Sequence, residues 1–407
     1  MYLNDMLNIS SWVNILLTLL LFLPIFLVLF ETLFRIIFLG VAEFSGKSSQ
    51  PPLGNEIDEN ISIIFLMLAH NEERVLSQTL GLVKAQVDVS NARLVVVADN
   101  CTDRTIEVSR RAGVMVSVRS DGIPGKAHAL SWFVEHNIGI ISKYDLIVII
   151  DADTQLSSDF CTAIRSVFQS QPICVAQSSV EPINEQGMVV TTLAAFSEIL
   201  SQRVDDCARS VLGWSVPLRG TGMVFKRDVF LQVCSGLRTQ VDDIELTIRL
   251  TCLGIPIHFV SDAIVYDPKS QNILGLAKQR GRWLKGQRQI FSNMKYDLTK
   301  ILLSGISGGS LIQSLLIKPK TLLLAIKIML IILLFFIVSF PYWEFLEIIL
   351  VVSVLVDLAY YCMGLRYVAD HRIYASALLM APLYLILWLA GWFFSFISGQ
   401  HWLRSRD

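Results

Sequence analysis

Two carboxylates one residue apart, in Asp151-Ala152-Asp153, follow the unbroken apolar run 146–150. Such a run reads as a buried strand, and a strand delivers whatever ends it to the ligand edge of an α/β sheet. Paired carboxylate oxygens there suit Mg²⁺ or Mn²⁺, above all beside a diphosphate that supplies further oxygens. The ordinary explanation competes, because acids after strands also shape turns and cap helices. Asp99 repeats the pattern at the end of 94–98. A second acidic cluster, Asp242-Asp243, precedes Leu246, Ile248 and Leu250, so an element starting there can pack. Acids at a helix start complement its dipole. They can equally do acid–base work, with Asp243 taking the proton of an attacking hydroxyl. The third cluster, Gln279-Arg280-Gly281-Arg282-Trp283, joins bidentate anion binders to a flat aromatic face. Basic and aromatic residues also favour a membrane interface.

Shorter signals follow the same layout. Ala69 and Glu72 stand at the end of the first apolar run, and Lys126 follows Gly125 at a helix start, where it can meet a phosphate. Gly220-Thr221-Gly222 lets a substrate approach the backbone. Turns and caps explain each of these as well. His128 and His258 read as structural residues, and Trp132 and Trp214 as core.

The elements that must carry these groups are short apolar runs alternating with helical patterns. Runs at 61–68, 93–99, 114–119 and 146–151 read as buried strands, with helices starting near Glu72, Thr102, Gly125 and Ser157. Solidly apolar strands between helices predict an α/β domain with a mostly parallel sheet covered on both faces.

Composition sets the surroundings. The 407 residues carry a net charge of −1, with 53% hydrophobic and 17% charged residues, against about 25% charged in a soluble domain. Nucleic-acid binding through overall positive charge and dominant disorder are both excluded. Seven cysteines, an odd number with no CxxC pair, argue against a zinc site or disulfide framework and fit a reducing compartment.

The apolar excess is concentrated at the two ends. Residues 12–30 carry no charge, and apolar character continues to 41 past Glu31 and Arg35. This predicts one membrane helix rather than a signal peptide, because the tail before it has no Lys or Arg. The expected organisation is an N-terminal transmembrane helix (1–42), a linker (43–60), a catalytic domain (61–270), amphipathic interface helices (271–320), about three C-terminal transmembrane helices (321–400) and a tail (401–407). Between 271 and 327 there are ten Lys or Arg and one acid, Asp297. That bias suits an anionic membrane surface and places the domain on the cytoplasmic side. Four simple spans would leave Arg404 and Arg406 outside, so the last span (376–398) is re-entrant or the N-terminal segment more complex.

Order and spacing add information. Asp99, then Asp151-Ala152-Asp153, then Asp242-Asp243, then Gln279–Trp283 resembles the D, DxD, [T/E]D, QxxRW series of membrane-embedded family 2 glycosyltransferases, the group of cellulose, chitin and hyaluronan synthases. The resemblance implies a GT-A fold (Rossmann-like) in a cytosolic domain flanked by transmembrane helices. It implies a nucleotide-sugar donor, usually a UDP-sugar, with Mg²⁺ or Mn²⁺. Carried over by position, Ala69, Glu72 and Asp99 would line the nucleoside pocket, and Lys126 and Asp151 would also contact the donor. Asp153 would bind the metal, Asp243 would be the general base, and Gln279, Arg280 and Arg282 would surround the diphosphate. Trp283 would meet the acceptor, with Asp242, Gly220 and Thr221 beside it. The chain departs from the series in having Asp242 where Thr or Glu is usual, and it has no gating-loop motif after Trp283. No further regulatory domain is expected after the last span. The expected activity is inverting transfer to a growing polysaccharide, processive synthesis being favoured. Single-sugar transfer to a lipid carrier or glycolipid is the alternative, and a non-catalytic scaffold or sugar-binding subunit the remote one. Location in the inner (plasma) membrane, contact with membrane lipids and no nucleic-acid partner complete the expectation. Sugar, linkage and oligomeric state stay open.

Overall fold

The computed structural model describes residues 2–44, 60–88, 91–183, 188–269, 273–317, 320–337 and 343–397. Most of the expected linker, the tail with Arg404 and Arg406, and much of the loop before residue 343 lie outside the described residues.

The four sequence-predicted strands are present as β1 (Ile63–Ala69), β2 (Ala92–Asp99), β3 (Met115–Arg119) and β4 (Leu146–Asp151). Four more follow: β5 (Gln155–Leu156), β6 (Val175–Pro182), β7 (Met223–Lys226) and β8 (Ile257–Asp267). One sheet results, in the order β3-β2-β1-β4-β7-β6-β8-β5. The half made of β1 to β4 is parallel throughout, so its strand ends gather on one edge. Beyond β4 the sheet is mixed: β7 runs antiparallel to both neighbours, and β6 and β8 are parallel to each other.

The period-2 alternation of β1 divides the core. Phe65 and Met67 face Leu76 and Leu80 of helix Glu73–Asp88 and Phe160 of helix Phe160–Ser170. Ile64, Leu66 and Leu68 face Phe133 of helix Lys126–His136 and Leu246 of helix Asp242–Cys252. Both faces are thus dry, which is why these strands read as continuous apolar runs.

The flanking helices differ from expectation in detail. Helix Tyr2–Phe44 is continuous, and among the described residues two segments, Leu21–Glu43 and Phe345–Leu365, are long and apolar enough to cross a membrane. Helix Lys320–Ile337 is apolar but shorter. The span expected at 376–398 is instead two helices, His371–Leu379 and Ala381–Ile397. Trp214, expected in the domain core, packs edge-on against Phe34 and Phe38 of the N-terminal helix, at centroid distances of 6.5 and 6.3 Å. It forms part of the junction between domain and helix.

Four charges lie buried among the flanking helices. Arg35 pairs with Glu31 on its own helix and with Asp357 at 2.8 Å. Lys327 meets Glu31 at 2.9 Å and Asp357 at 2.6 Å. Two acids and two bases cancel, and all four are at most 4% exposed. The basic segment forms helices Ile273–Asn293, Lys295–Leu303 and Ile306–Leu316. Their apolar residues Ile290, Leu298 and Leu311 pack on Val241, Ile244 and Ile248 around the acid-tipped helix, while Phe291, Tyr296 and Leu303 stay exposed. One side therefore packs on the α/β domain rather than on a lipid surface.

Candidate active site

A cavity of about 440 Å³ opens beyond the carboxyl ends of β1 and β4. Twelve of the candidate site residues border it, Glu72, Asp151 and Trp283 among them; Ala69 and Asp99 do not. Ala69 is fully buried in the core. Asp99 is also buried, and its carboxylate accepts hydrogen bonds from Arg119 Nη1 at 2.5 Å, Gly125 N–H at 2.8 Å and Asn100 Nδ2 at 3.0 Å. It anchors the loop before Lys126.

Asp151 and Asp153 sit where the apolar run of β4 delivers them. Thr221 shapes their turn: its hydroxyl accepts the Asp151 N–H at 3.3 Å and lies 2.8 Å from Thr154 Oγ1. Gly220 and Gly222 on either side have φ of +83° and +65°, a region natural only to glycine. Asp153 is 7% exposed. Burial, and then the like charges of Asp267, Asp151 and Glu72, hold its carboxyl well above the usual range. Asp267 was missed from sequence although it shows the same signal, an acid ending the apolar-rich strand β8.

Lys126 is the hub between the acidic clusters. Its Nζ donates to Asp151 Oδ1 at 2.6 Å and to the Gly220 carbonyl at 2.5 Å, and it lies 3.9 Å from Asp242 Oδ2. Burial acts to lower its pKa, but the surrounding carboxylates outweigh burial and the net shift is upward. Asp242 is buried, and its Oδ2 has no hydrogen-bond partner among the described residues. Burial pushes its carboxyl up to about 6, with Lys126 pulling it back only in part. Asp243 is more open, and its carboxylate lies beside Gly220, 3.9 Å from where a Cβ there would stand. Thr247 fixes its helix to the glycine loop by donating to the Asp243 carbonyl at 2.7 Å and accepting the Leu218 N–H at 3.0 Å.

The later three members of the sequence series thus share one chamber, Asp99 lying outside it, and residues 62–286 match the family model described as glycosyltransferase like family 2. The chain belongs to that family. It is 24% identical over 251 residues to the probable glycosyltransferase YdaM of Bacillus subtilis (59% of this chain, 58% of that protein). It is 25% identical over 239 residues to the beta-monoglucosyldiacylglycerol synthase of Nostoc sp. (56% and 49%). To the poly-beta-1,6-N-acetyl-D-glucosamine synthase of Staphylococcus aureus it is 23% identical over 248 residues (59% and 59%). The matches span about half the length of these curated relatives. The fold resembles that of the mannosyltransferase PcManGT from Pyrobaculum calidifontis, solved in complex with GDP-Man and Mn²⁺. The TM-score is 0.50 at 14% identity, covering 88% of this chain and 97% of that one. The sheet is of the GT-A type, with apolar helices on both sides of the domain.

The acids of the cavity bear on metal binding. Among the described residues no three His, Cys, Asp or Glu side chains form a ready-made metal cage. The carboxylates around Asp153 nonetheless place surplus negative charge on one side of the cavity. That arrangement fits Mg²⁺ or Mn²⁺ held by one or two carboxylates and completed by phosphate oxygens, rather than a cation bound by protein alone.

The far end of the cavity lies among the flanking helices and is bordered by Phe34, Arg35, Phe38, Leu323 and Tyr360. Sequence reading gave no sign of the wide π-helical turn Ser201–Asp206 that connects the two ends. There Asp205 accepts from the Tyr360 hydroxyl at 2.9 Å, and Asp206 pairs with Arg219, next to Gly220. Single-turn π segments frequently mark functional sites.

Proposed function

We propose that this glycosyltransferase moves a sugar from a nucleotide-sugar to a hydroxyl acceptor presented at a membrane, inverting the anomeric centre. The observation that carries the reading is the single chamber joining Asp151, Asp153, Asp243 and Gln279–Trp283. Asp153 with Asp151 would hold a divalent cation, which when bound supplies positive charge to the diphosphate. Gln279, Arg280 and Arg282 would face the same diphosphate and support its charge as it leaves, the larger share of the rate gain. Lys126 keeps the Asp151 turn and the Asp242–Asp243 helix at a set separation. Asp243 takes the proton of the acceptor hydroxyl on the side of the sugar opposite the diphosphate, a contribution of about 10²–10⁴-fold.

The domain lies on the cytoplasmic face of the inner membrane in this reading, held by helices Tyr2–Phe44 and Trp343–Leu365. The acceptor would enter from the helix-lined end. Transfer of one sugar to a lipid-linked acceptor is supported by Arg35 and Glu31 at that end, with the fully buried Lys327 and Asp357 behind them closing the bundle. Processive synthesis of a polysaccharide is supported instead by the Gln279–Trp283 series and by the likeness to the Staphylococcus aureus synthase.

One experiment tests the common core and separates the two. Purified full-length protein in lipid nanodiscs is offered UDP- and GDP-sugars with Mn²⁺, and nucleotide release and product length are measured. The expected outcome is release with one donor class, lowered about 10²–10⁴-fold in Asp243→Asn. Equal rates for wild type and variant would remove Asp243 from its role. A single-sugar adduct on lipid supports the first acceptor reading, and a ladder of long chains the second.

A further inference from the structure

We propose that Trp388, on the C-terminal apolar helix Ala381–Ile397, is a positioning residue for Arg280 and makes that helix part of the diphosphate end of the active site. The inference rests on the reading above that Arg280 faces the diphosphate. Arg280 is 4% exposed, with its Cζ 4.2 Å from the centroid of the Trp283 ring and 5.3 Å from that of Trp388. The two indoles are 6.5 Å apart and inclined at 50°, so the guanidinium lies against both. Trp283 comes from the arginine's own helix, one turn on. Trp388 comes from more than a hundred residues away.

The two helices are built to hold this contact. Gly281 and Gly391 face each other: a Cβ on Gly391 would come within 2.7 Å of Arg280 Cβ, and one on Gly281 within 3.0 Å of the Gly391 carbonyl oxygen. A side chain at Gly391 would force the helices to shift, and one at Gly281 would crowd the facing backbone. Toward the far end Arg288 donates to the Ser395 carbonyl at 2.5 Å, and its Cζ lies 4.3 Å from the Phe396 ring centroid. Trp388 is itself 8% exposed and borders the catalytic cavity. Its indole N–H has no acceptor among the described residues. The contacts that hold the ring are those of its faces. A long arginine side chain ordered between one buried ring and one half-buried ring meets the leaving group without first losing rotamer freedom.

The test is a double-mutant cycle on the full chain in nanodiscs. It measures UDP and GDP binding with Mn²⁺ by calorimetry, together with donor and acceptor KM. Arg280→Ala should weaken binding of the preferred nucleoside diphosphate. Trp388→Leu should weaken it about tenfold, the scale of a desolvated cation–π contact. Donor KM should rise in parallel while acceptor KM stays within about twofold. Trp388→Phe keeps a ring, so its loss should be partial, and it carries the cycle if the leucine variant does not fold. Neither Trp388 substitution should matter in the Arg280→Ala background, because the residue acts through Arg280. Leu389→Ala, on the same helix but 67% exposed, should change nothing. If Arg280→Ala weakens binding and Trp388→Leu does not, or if Trp388→Leu costs as much without Arg280 as with it, the positioning role is overturned. If Arg280→Ala leaves nucleotide affinity intact, the diphosphate reading falls and this role with it.

Discussion

Replacing Asp242 by asparagine should make the protein more stable at neutral pH. Asp242 is a carboxyl moved from 3.8 to about 6 because burial outweighs the pull of Lys126. Its folded pKa is raised, so the folded state binds this proton more tightly than the unfolded chain does. The resulting stability is fully present below about pH 4 and is lost as pH rises through about 6. About two pK units at ~1.4 kcal/mol each amount to about 3 kcal/mol forfeited at pH 7.5 by keeping the acid charged. The Asp242→Asn variant is neutral at every pH and escapes that loss. Lys126 keeps its shorter contacts to Asp151 and the Gly220 carbonyl, so no bare cation is created. The assay is thermal unfolding of wild type and variant in the same nanodiscs from pH 4 to pH 8. The variant's Tm should match the wild type near pH 4 and exceed it at pH 7.5, by roughly 6–12 °C for a domain of this size. A difference that does not change with pH, or a variant that melts earlier at pH 7.5, would refute the claim that Asp242 is held charged against its surroundings. Transfer activity should fall in the same variant; unchanged activity would remove Asp242 from the acceptor contacts.

Two further outcomes follow from the charges. Chelation should abolish nucleotide release and added Mn²⁺ or Mg²⁺ should restore it, with Asp153→Asn failing to recover; release that persists in chelator would argue against metal assistance. Lys327→Met leaves Glu31 and Asp357 with Arg35 alone, an uncompensated buried charge that should cost about 3–5 kcal/mol, read as a lowered Tm, whereas Lys327→Met combined with Asp357→Leu should recover most of it.

The parallel half of the sheet was legible because β1, β2 and β4 are almost wholly buried and end in turns, while the edge strand β3 is half-buried yet keeps an apolar run. The acids at the ends of 94–98 and 146–150 were legible for the same reason. The mixed half was not, since β7 is only four residues long and β8 carries polar positions at Ser261 and Asp262. Asp267 was therefore passed over, although it closes β8 as Asp151 closes β4. Order and spacing grouped Asp151, Asp243 and Trp283, which border one cavity. They could not reveal that Asp99 is consumed by Arg119 and Gly125, because that depends on how the 120–125 loop closes. Nothing local marks Trp388: an aromatic residue in an apolar helix looks the same whether it faces lipid or an arginine. The single span drawn over 376–398 is two helices for a related reason. Hydropathy continues across Met380, while only packing decides where the backbone turns.

The four buried charges also bear on how such a chain is assembled during synthesis. Glu31 and Arg35 are one turn apart on the same helix, while Lys327 and Asp357 sit on neighbouring helices further along. For the membrane-embedded enzyme proposed above, each pair cancels within a stretch that leaves the ribosome almost together. The leading helix can enter the bilayer as a neutral rod, and the later hairpin can do the same. The cross-contacts from Arg35 to Asp357 and from Lys327 to Glu31 form only when the two meet. The charges then work as a latch that accepts the correct neighbour, and an insertion error that leaves behind either helix of the later hairpin strands the charge on the other.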